Sequence, residues 1–516
     1  MATAETVAAP AATTTARGPE GGLRRRTLGV PDLVFFIVAA SAPLTAVAGG
    51  QAASFLVTGN KGIPLLFVPL GIVMAVFAVG YAAMSRHVAD AGAFYTYVTR
   101  GLGRIPGVAA AFMALVAYNA MQLGIYGLFG VATAAFAADK LGITLDWYWW
   151  CFLGAAVIAL LGVLRIDLNA RVLAVLLILE VVVVAIFDFA ILADPGPQGL
   201  SGAGFDPGNA TGSALGAALV FSVASFVGFE SAAIYSEECK DPKRTVARAT
   251  FIAVGVIAVF YALSSWLLSN AVGPDTIVSP DGLVDAGFTT PDGAAPDPTT
   301  VLIGSGTERL GAFWGDAAAL LFATSLFAAL LSFHNAVARY GFALGREGVF
   351  PRAFGRVSAR TGAPTVASVA QTLLAVVVIA IFALAGKDPV LTLFTWLTNL
   401  GALGVLALMT LTSFAVLAFF RREDAPERST WRTAIAPAIA GVALVAILVL
   451  GLANFNVLIT GATDGPRDSM SIVLPVILFG AGIVGALVAV GMRRAAPERY
   501  AGIGRPTATE RVEHMG

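Results

Sequence analysis

Apolar runs separated by short polar segments with Gly and Pro repeat along almost the whole chain. Runs of this length can cross a bilayer as helices, which takes about 17–25 residues. The runs and the turn signals between them predict twelve membrane helices, spans 1 to 12: 33–57, 62–85, 104–136, 147–164, 170–193, 213–236, 245–272, 311–344, 364–386, 389–420, 432–455 and 470–492. The pattern therefore predicts an all-α integral membrane protein. Residues 1–26, rich in Ala, Thr, Pro and Gly, have no apolar core and predict a disordered tail rather than a signal peptide. Residues 27–492 form one twelve-helix domain, and the polar stretch 493–516 predicts a second disordered tail.

Two spans interrupt their own pattern. Span 1 carries Ser41-Ala42-Pro43-Leu44-Thr45, followed four residues later by Gly49-Gly50. Pro43 has no N–H and its ring disfavours a continuous helix. In lipid, the freed backbone groups must be satisfied by protein, water or a ligand. Such a break predicts a polar cavity near the bilayer midplane; a Pro-kinked helix without a site is the alternative. Span 6 reads SFVGFES at the same depth, with Gly228 between Phe226 and Phe229, then Glu230, and with Ser222, Ser225 and Ser231 around it.

Polar side chains inside other spans add candidates. Glu180 stands at mid-span in the aliphatic run of span 5, where a carboxylate costs about 2.5–3.5 kcal/mol and so normally faces the bundle interior. A protonated carboxyl tying down a neighbouring helix is the alternative. Asp188, two turns on, lies near enough to the surface to reach water. Asn119, Gln122 and Tyr126 follow i, i+3, i+7 spacing in span 3 and predict a polar stripe on one face, either a cavity wall or an interhelical contact. Phe333 and His334 fall in the second half of span 8, and Thr395, Thr398 and Asn399 in span 10 can reach either a cavity or a neighbouring helix.

Composition narrows the class. The chain is 58% hydrophobic and 12% charged, against about 25% charged in soluble domains. Net charge is zero, so nothing points to nucleic acid. Cys151 and Cys239 lie far apart without metal spacing, which argues against a disulfide framework, a zinc site or another cofactor. With both tails and alternate loops placed inside, the inner segments hold 27 of the 32 Lys and Arg residues. The outer loops hold only Lys61, Lys140, Arg309, Lys387 and Arg467. That bias predicts both termini in the cytoplasm. The aromatic, Gly-punctuated segment GAFYTYVTRGLG after span 2 predicts an interfacial helix on that side, and residues 273–310 a long outer loop. Many Ala, Gly and Arg with only five Lys point to a GC-rich bacterial genome, hence a bacterial cytoplasmic membrane.

Four stretches in order, SAPLTAVAGG, GAFYTYVTRGLG, SFVGFES with DPKRTV, and ALGREGVFPRAFGRV, resemble the amino acid–polyamine–organocation superfamily of secondary transporters over residues 27–492. The resemblance implies a leucine-transporter-like fold. In it, two inverted five-helix repeats (5+5) carry helices 1 and 6 broken at the substrate site, and two C-terminal helices follow. Carried over, Ser41, Ala42, Pro43, Leu44 and Thr45 line the first break, and Phe226, Val227, Gly228, Phe229 and Glu230 the second. Glu230 resembles a helix 6 glutamate tied to proton response in arginine/agmatine antiporters. Asn119 matches a substrate-contacting asparagine of those proteins, and Phe333 an aromatic gate. Two departures stand out. Pro43 replaces one of the backbone N–H donors that hold a substrate carboxylate in many members. Glu180 stands where some proton-coupled relatives place a lysine.

The expectation is a secondary transporter, not an enzyme, that imports an amino acid or polyamine by alternating access and symport with a proton, sodium being the alternative ion. Glu180 is expected to couple, Glu230 to gate or meet the substrate amine, and Phe333 to gate. An exchanger or a non-transporting membrane sensor are the alternatives, and monomer and homodimer both stay open. A membrane enzyme would need a metal-ligand cluster or a nucleophile–base pair, and a channel a repeated pore loop; the sequence has neither.

Overall fold

A backbone in lipid has no water to bond to, so long apolar runs can only close their hydrogen bonds as helices. In a computed structural model the chain is described over residues 28–88, 94–164, 166–230, 239–290, 293, 295–422, 429–464 and 466–504. Ser231, Glu237, Glu238 and both chain ends, 1–27 and 505–516, lie outside the described residues. In chain order the helices are α1 (Val30–Ser41), α2 (Ala52–Thr58), α3 (Ile63–Ser85), α4 (Phe94–Leu102), α5 (Arg104–Leu141), α6 (Trp147–Val163), α7 (Ile166–Ala193), α8 (Leu215–Ala224) and α9 (Pro242–Val272). They continue with α10 (Thr300–Leu310), α11 (Ala312–Arg346), α12 (Thr365–Leu384), α13 (Thr395–Arg422), α14 (Ala436–Ala453), α15 (Phe455–Thr460), α16 (Met470–Ala495) and α17 (Pro497–Gly502). Among the described residues, nine helices are long and apolar enough to cross a membrane, built on α3, α5, α7, α9, α11, α12, α13, α14 and α16. Of the other three expected spans, 147–164 forms the 17-residue α6, span 1 is divided between α1 and α2, and the first part of span 6 is the ten-residue α8. Apolar side chains such as Phe313, Leu384, Val476 and Leu487 point outward, as in a bundle solvated by lipid.

The central strut is α5, 38 residues and about 57 Å long at 1.5 Å per residue. It packs against α4, α6, α11, α13 and α16. Small residues let it do so. A Cβ on Gly124 would meet Thr398 at 2.7 Å, one on Gly127 the Pro389 carbonyl at 2.2 Å, and one on Gly130 Cys151 at 2.6 Å. Close backbone approach of this kind is how helices associate where lipid removes the hydrophobic drive. The α3–α9 pair is packed as extensively on the other side of the bundle, with α1 lying against α7, α9 and α11.

Three surface expectations need correcting. The segment before span 3 does form a helix, α4, but Phe94–Thr99 are buried and it is wedged between α5 and α13 instead of lying at an interface. Gly101 allows the wedge, since a Cβ there would sit 2.1 Å from the Ala415 carbonyl oxygen. Residues 273–310 are not a plain loop: they contain α10, capped against the bundle by Arg309, which donates to the Asp194 and Ser305 carbonyls at 2.6 and 2.8 Å. The tail expected to be disordered from 493 continues as helix to Ala495 and then forms α17. Arg104 donates to the carbonyls of Ile503 (3.2 Å) and Ala501 (3.1 Å), the Gly504 N–H reaches Glu347 Oε2 at 3.0 Å, and Ile503 is buried. These backbone acceptors and one apolar anchor escape a reading based on polarity alone.

Candidate functional site

Helix α1 stops at Ser41 because the next residue precedes a proline, which disfavours the right-handed helical region. Ala42 takes φ +45°, the one positive φ among the described non-glycine residues. The chain then restarts as a π-helical stretch, Thr45–Gln51, before α2. Such π segments concentrate at functional sites. Three of the backbone donors at the break are bonded within the protein. Ala42 N–H bonds the Val38 carbonyl (3.1 Å) and Ala46 N–H the Ala42 carbonyl (2.8 Å). Thr45 N–H bonds Ser325 Oγ at 3.2 Å, and the Thr45 and Ser325 hydroxyls lie 2.9 Å apart. On the other side of the break the Tyr261 hydroxyl sits over the Ser41 hydroxyl (2.9 Å) and the Ser41 carbonyl (3.1 Å).

Glu180 of α7 faces this junction. The Leu44 N–H, the Ser325 hydroxyl and Tyr261 surround its carboxyl. Both carboxyl oxygens are nevertheless buried without a hydrogen-bond partner in the structure, and the residue is 1% exposed. Leaving a buried polar group unpaired is costly and is retained for a reason.

Helix α8 ends at Ala224, and residues 225–230 turn with Gly228 at φ +110°, a conformation that side chains rarely adopt. The turn folds Glu230 back onto its own backbone: Gly228 N–H donates to Glu230 Oε2 at 3.0 Å. The Tyr118 hydroxyl donates to Oε1, and the Tyr81 hydroxyl to the Glu230 carbonyl at 2.9 Å. Glu230 is fully buried. Phe226 and Phe229 pack away toward α3, with ring centroids 6.1 Å from Phe67 and 5.7 Å from Phe77.

Both breaks open on one cavity of about 60 Å³. That is well under the roughly 300 Å³ of a typical ligand pocket, so the site is narrow in this structure. Ser41, Ala42, Thr45 and Phe333 of the expected residues line it, together with Phe221, Ser225, Met121, Phe394, Thr398 and Asn399. Pro43, Leu44, Phe226, Val227, Gly228 and Glu230 form the breaks without lining it, and Glu180 also lies outside the lining. Phe333 links the two regions, its ring 6.3 Å from that of Tyr118.

Asn119 lies elsewhere. Its amide donates to the Leu115 carbonyl of its own helix at 2.7 Å, and Met121 and Ile125 present the cavity-facing side of α5 instead. Gln122 bonds the Leu330 carbonyl (3.2 Å) and accepts from Gln371. His334 bonds Ser368 at 2.7 Å, where Gly162 leaves room for the ring. These contacts tie α5, α11 and α12 together away from the cavity. No group of three or more His, Cys, Asp or Glu that could hold a metal occurs among the described residues.

A sequence model described as amino acid permease matches residues 28–484. The low-affinity putrescine importer PlaP of Escherichia coli is 24% identical over 340 residues, which cover 64% of this chain and 69% of that protein. Crystal structures of two mutants of the Eremococcus coleocola manganese transporter align with a TM-score of 0.51 and 17% identity, over 90% of this chain and 93% of theirs. At that identity the likeness is one of fold. A multi-pass helical membrane fold, a broken helix 1 and the end of α8 at one cavity, and a family model spanning most of the sequence lead to one conclusion: the chain belongs to the amino acid permease family.

Proposed function

We propose that this permease imports an amino acid or polyamine across the bacterial cytoplasmic membrane by alternating access, in symport with a proton. The observation that carries the reading is that the helix 1 break and the end of α8 meet at one narrow cavity, each backed by a buried glutamate. Interrupted helices around a midplane site are how such transporters bind cargo. The similarity to a putrescine importer supports a polyamine as one cargo class. The frame is twelve spans in a 5+5 inverted repeat plus two C-terminal helices; α6, the divided span 1 and the span that begins with α8 add to the nine long helices, and the two breaks fall five spans apart. The excess of Lys and Arg on alternate loops supports cytoplasmic termini.

Glu180 takes up and releases the coupling proton. It faces the helix 1 break beside the Ser325 hydroxyl and the Leu44 N–H, so its charge bears on the geometry of that break. Glu230 holds the helix 6 break through Gly228 and Tyr118, and Phe333 passes that state to the cavity. The test is uptake into proteoliposomes under an imposed pH gradient, with Glu180→Gln and Glu230→Gln. Loss of pH-driven accumulation in Glu180→Gln is expected. Wild-type rates and pH dependence in both variants overturn the assignment. Equal uptake into empty and cargo-preloaded vesicles separates the symporter from an exchanger.

A further inference from the structure

A second and larger hollow lies on the outer side of the bundle. It is a crevice of about 460 Å³ between α1, α7 and α9, against about 60 Å³ for the central cavity. Its walls are rows of side chains one helical turn apart: Val30, Val34 and Val38 on α1, and Leu177 and Val181 on α7, with Ile252 of α9 closing the third side. The α1 wall from Val30 to Val38 is about 12 Å long at 1.5 Å per residue, so the hollow is drawn out along the helix. Every described side chain that lines it is hydrocarbon, and its rim residues Val182 and Ile252 are exposed to the lipid side. Water finds no hydrogen-bond partner in such a hollow. Left empty, its walls would lose the dispersion contacts on one side. In a bilayer the material at hand to fill it is an acyl chain.

The two ends of the crevice differ. At the deep end, Val38 lies one turn before the point where α1 stops at Ser41 and the central cavity begins. The other end, at the start of α1, is basic. The Leu28 carbonyl accepts from the Lys240 N–H at 3.0 Å, which ties the approach to α9 to the start of α1. Arg248 and Arg244 precede Ile252 by one and two turns on α9, and both are exposed, as is Lys240. The sequence places Arg24, Arg25 and Arg26 just before Leu28. Two acids lie at the same end. The Asp32 carboxylate accepts from the Gly29 N–H at 2.7 Å, and Asp241 stands 3.9 Å from Arg244. Basic groups outnumber them, and basic pockets between membrane helices on the cytoplasmic side hold anionic lipid head groups.

We infer that this crevice is a binding site for one anionic phospholipid of the cytoplasmic leaflet, with an acyl chain between α1 and α7 and the phosphate held by Arg244 and Arg248. The site is separate from the cargo cavity, and the inference takes from the carrier reading only its orientation in the membrane. The bound chain braces the first half of helix 1. Leu177 and Val181 meet the chain, while Glu180, in the same turns of α7, faces the helix 1 break. Lipid and glutamate therefore bear on the same short segment of helix 1.

The experiment titrates the full chain in detergent with dioleoylphosphatidylglycerol and dioleoylphosphatidylcholine, which share their chains and differ in head-group charge. Native mass spectrometry counts the bound lipid, and the melting temperature reads stability. One phosphatidylglycerol is expected to bind at least tenfold more tightly than phosphatidylcholine and to raise the melting temperature. Val34→Trp fills the crevice and should weaken that binding at least tenfold and abolish the stabilisation. Should it not fold, Val182→Trp at the exposed rim is read in its place. Arg244→Gln combined with Arg248→Gln should bring phosphatidylglycerol down to the level of phosphatidylcholine. Equal binding of the two lipids, unchanged when the crevice is filled, means annular contact only and overturns the inference. Equal binding that is lost on filling overturns the anionic assignment. Selective binding that survives the filled crevice, or the loss of both arginines, overturns the placement. A wild-type dimer lost in Val34→Trp gives the crevice to a second copy and overturns the inference as well.

Discussion

Replacing Tyr118 by Phe removes one oxygen from the fully packed helix 6 break. The hydroxyl donates to Glu230 Oε1, while Oε2 keeps Gly228 N–H at 3.0 Å and the Glu230 carbonyl keeps Tyr81 at 2.9 Å. The ring contacts to Phe333 and Tyr340, at 6.3 and 5.5 Å between centroids, survive the change. The loss is therefore one hydrogen bond and little else. To an ionised carboxylate such a bond contributes about 1.5–3 kcal/mol, and to a protonated carboxyl about 0.5–1.5 kcal/mol. With an unfolding entropy of about 2.1 cal/mol/K per residue, a chain of this size loses roughly 1 °C per kcal/mol. Paired melting curves of wild type and Tyr118→Phe in the same detergent, at pH 5 and pH 8, give the difference. A drop of about 1–3 °C is expected, at least as large at pH 8 as at pH 5. Uptake should shift its pH profile in parallel, because the bond that holds Glu230 in this arrangement is gone. Superimposable melting curves and pH profiles at both pH values would refute the claim that Tyr118 holds Glu230.

Two glycine series test the backbone argument. Gly228→Ala should cost about 1–3 kcal/mol, because φ +110° is left to an L side chain only under strain, and uptake should fall with it; unchanged melting and transport would show that the turn does not need glycine. Gly101→Ala places a methyl group 2.1 Å from the Ala415 carbonyl and should destabilise by about 1–3 kcal/mol through overpacking of α4 on α13. The same substitution at Gly480 meets nothing within 4 Å inside α16 and should stabilise by about 0.5–1 kcal/mol, so melting shifts of the same sign at 101 and 480 contradict the packing assignment.

The two breaks were legible in the sequence because their causes are local. Pro43 and Gly228 act on their own neighbours, and the apolar runs around them have only one way to close their hydrogen bonds. The partners of those breaks were not legible. Ser325, Tyr261 and Tyr118 reach them from 280, 220 and 112 residues away in the chain. Periodicity grouped Asn119, Gln122 and Tyr126 on one face of α5, yet a shared face does not say which helix lies opposite. Gln122 meets Gln371, Asn119 turns to its own helix, and the cavity falls to Met121 and Ile125. Asn399 was visible only as a polar residue among others in span 10. What sets it apart is one oxygen left over at the cavity after Thr395 has taken the amide nitrogen, and that depends on packing. The ordered C-terminal segment shows the same limit from outside the membrane, since backbone carbonyls carry no signature in a sequence.

Neither glutamate lines the cavity, and this has an electrical consequence. Under the proposed symport, a cation that enters the cavity meets no carboxylate among the described lining residues from which to displace a proton, so the charge of the cargo and the charge of the coupling proton add. One unit charge falling through 100 mV releases about 2.3 kcal/mol. A monovalent amine accompanied by one proton thus draws about 4.6 kcal/mol from the voltage alone, roughly three powers of ten in concentration ratio. A carrier that swapped the two ions at a shared carboxylate would move no net charge and would be blind to membrane potential.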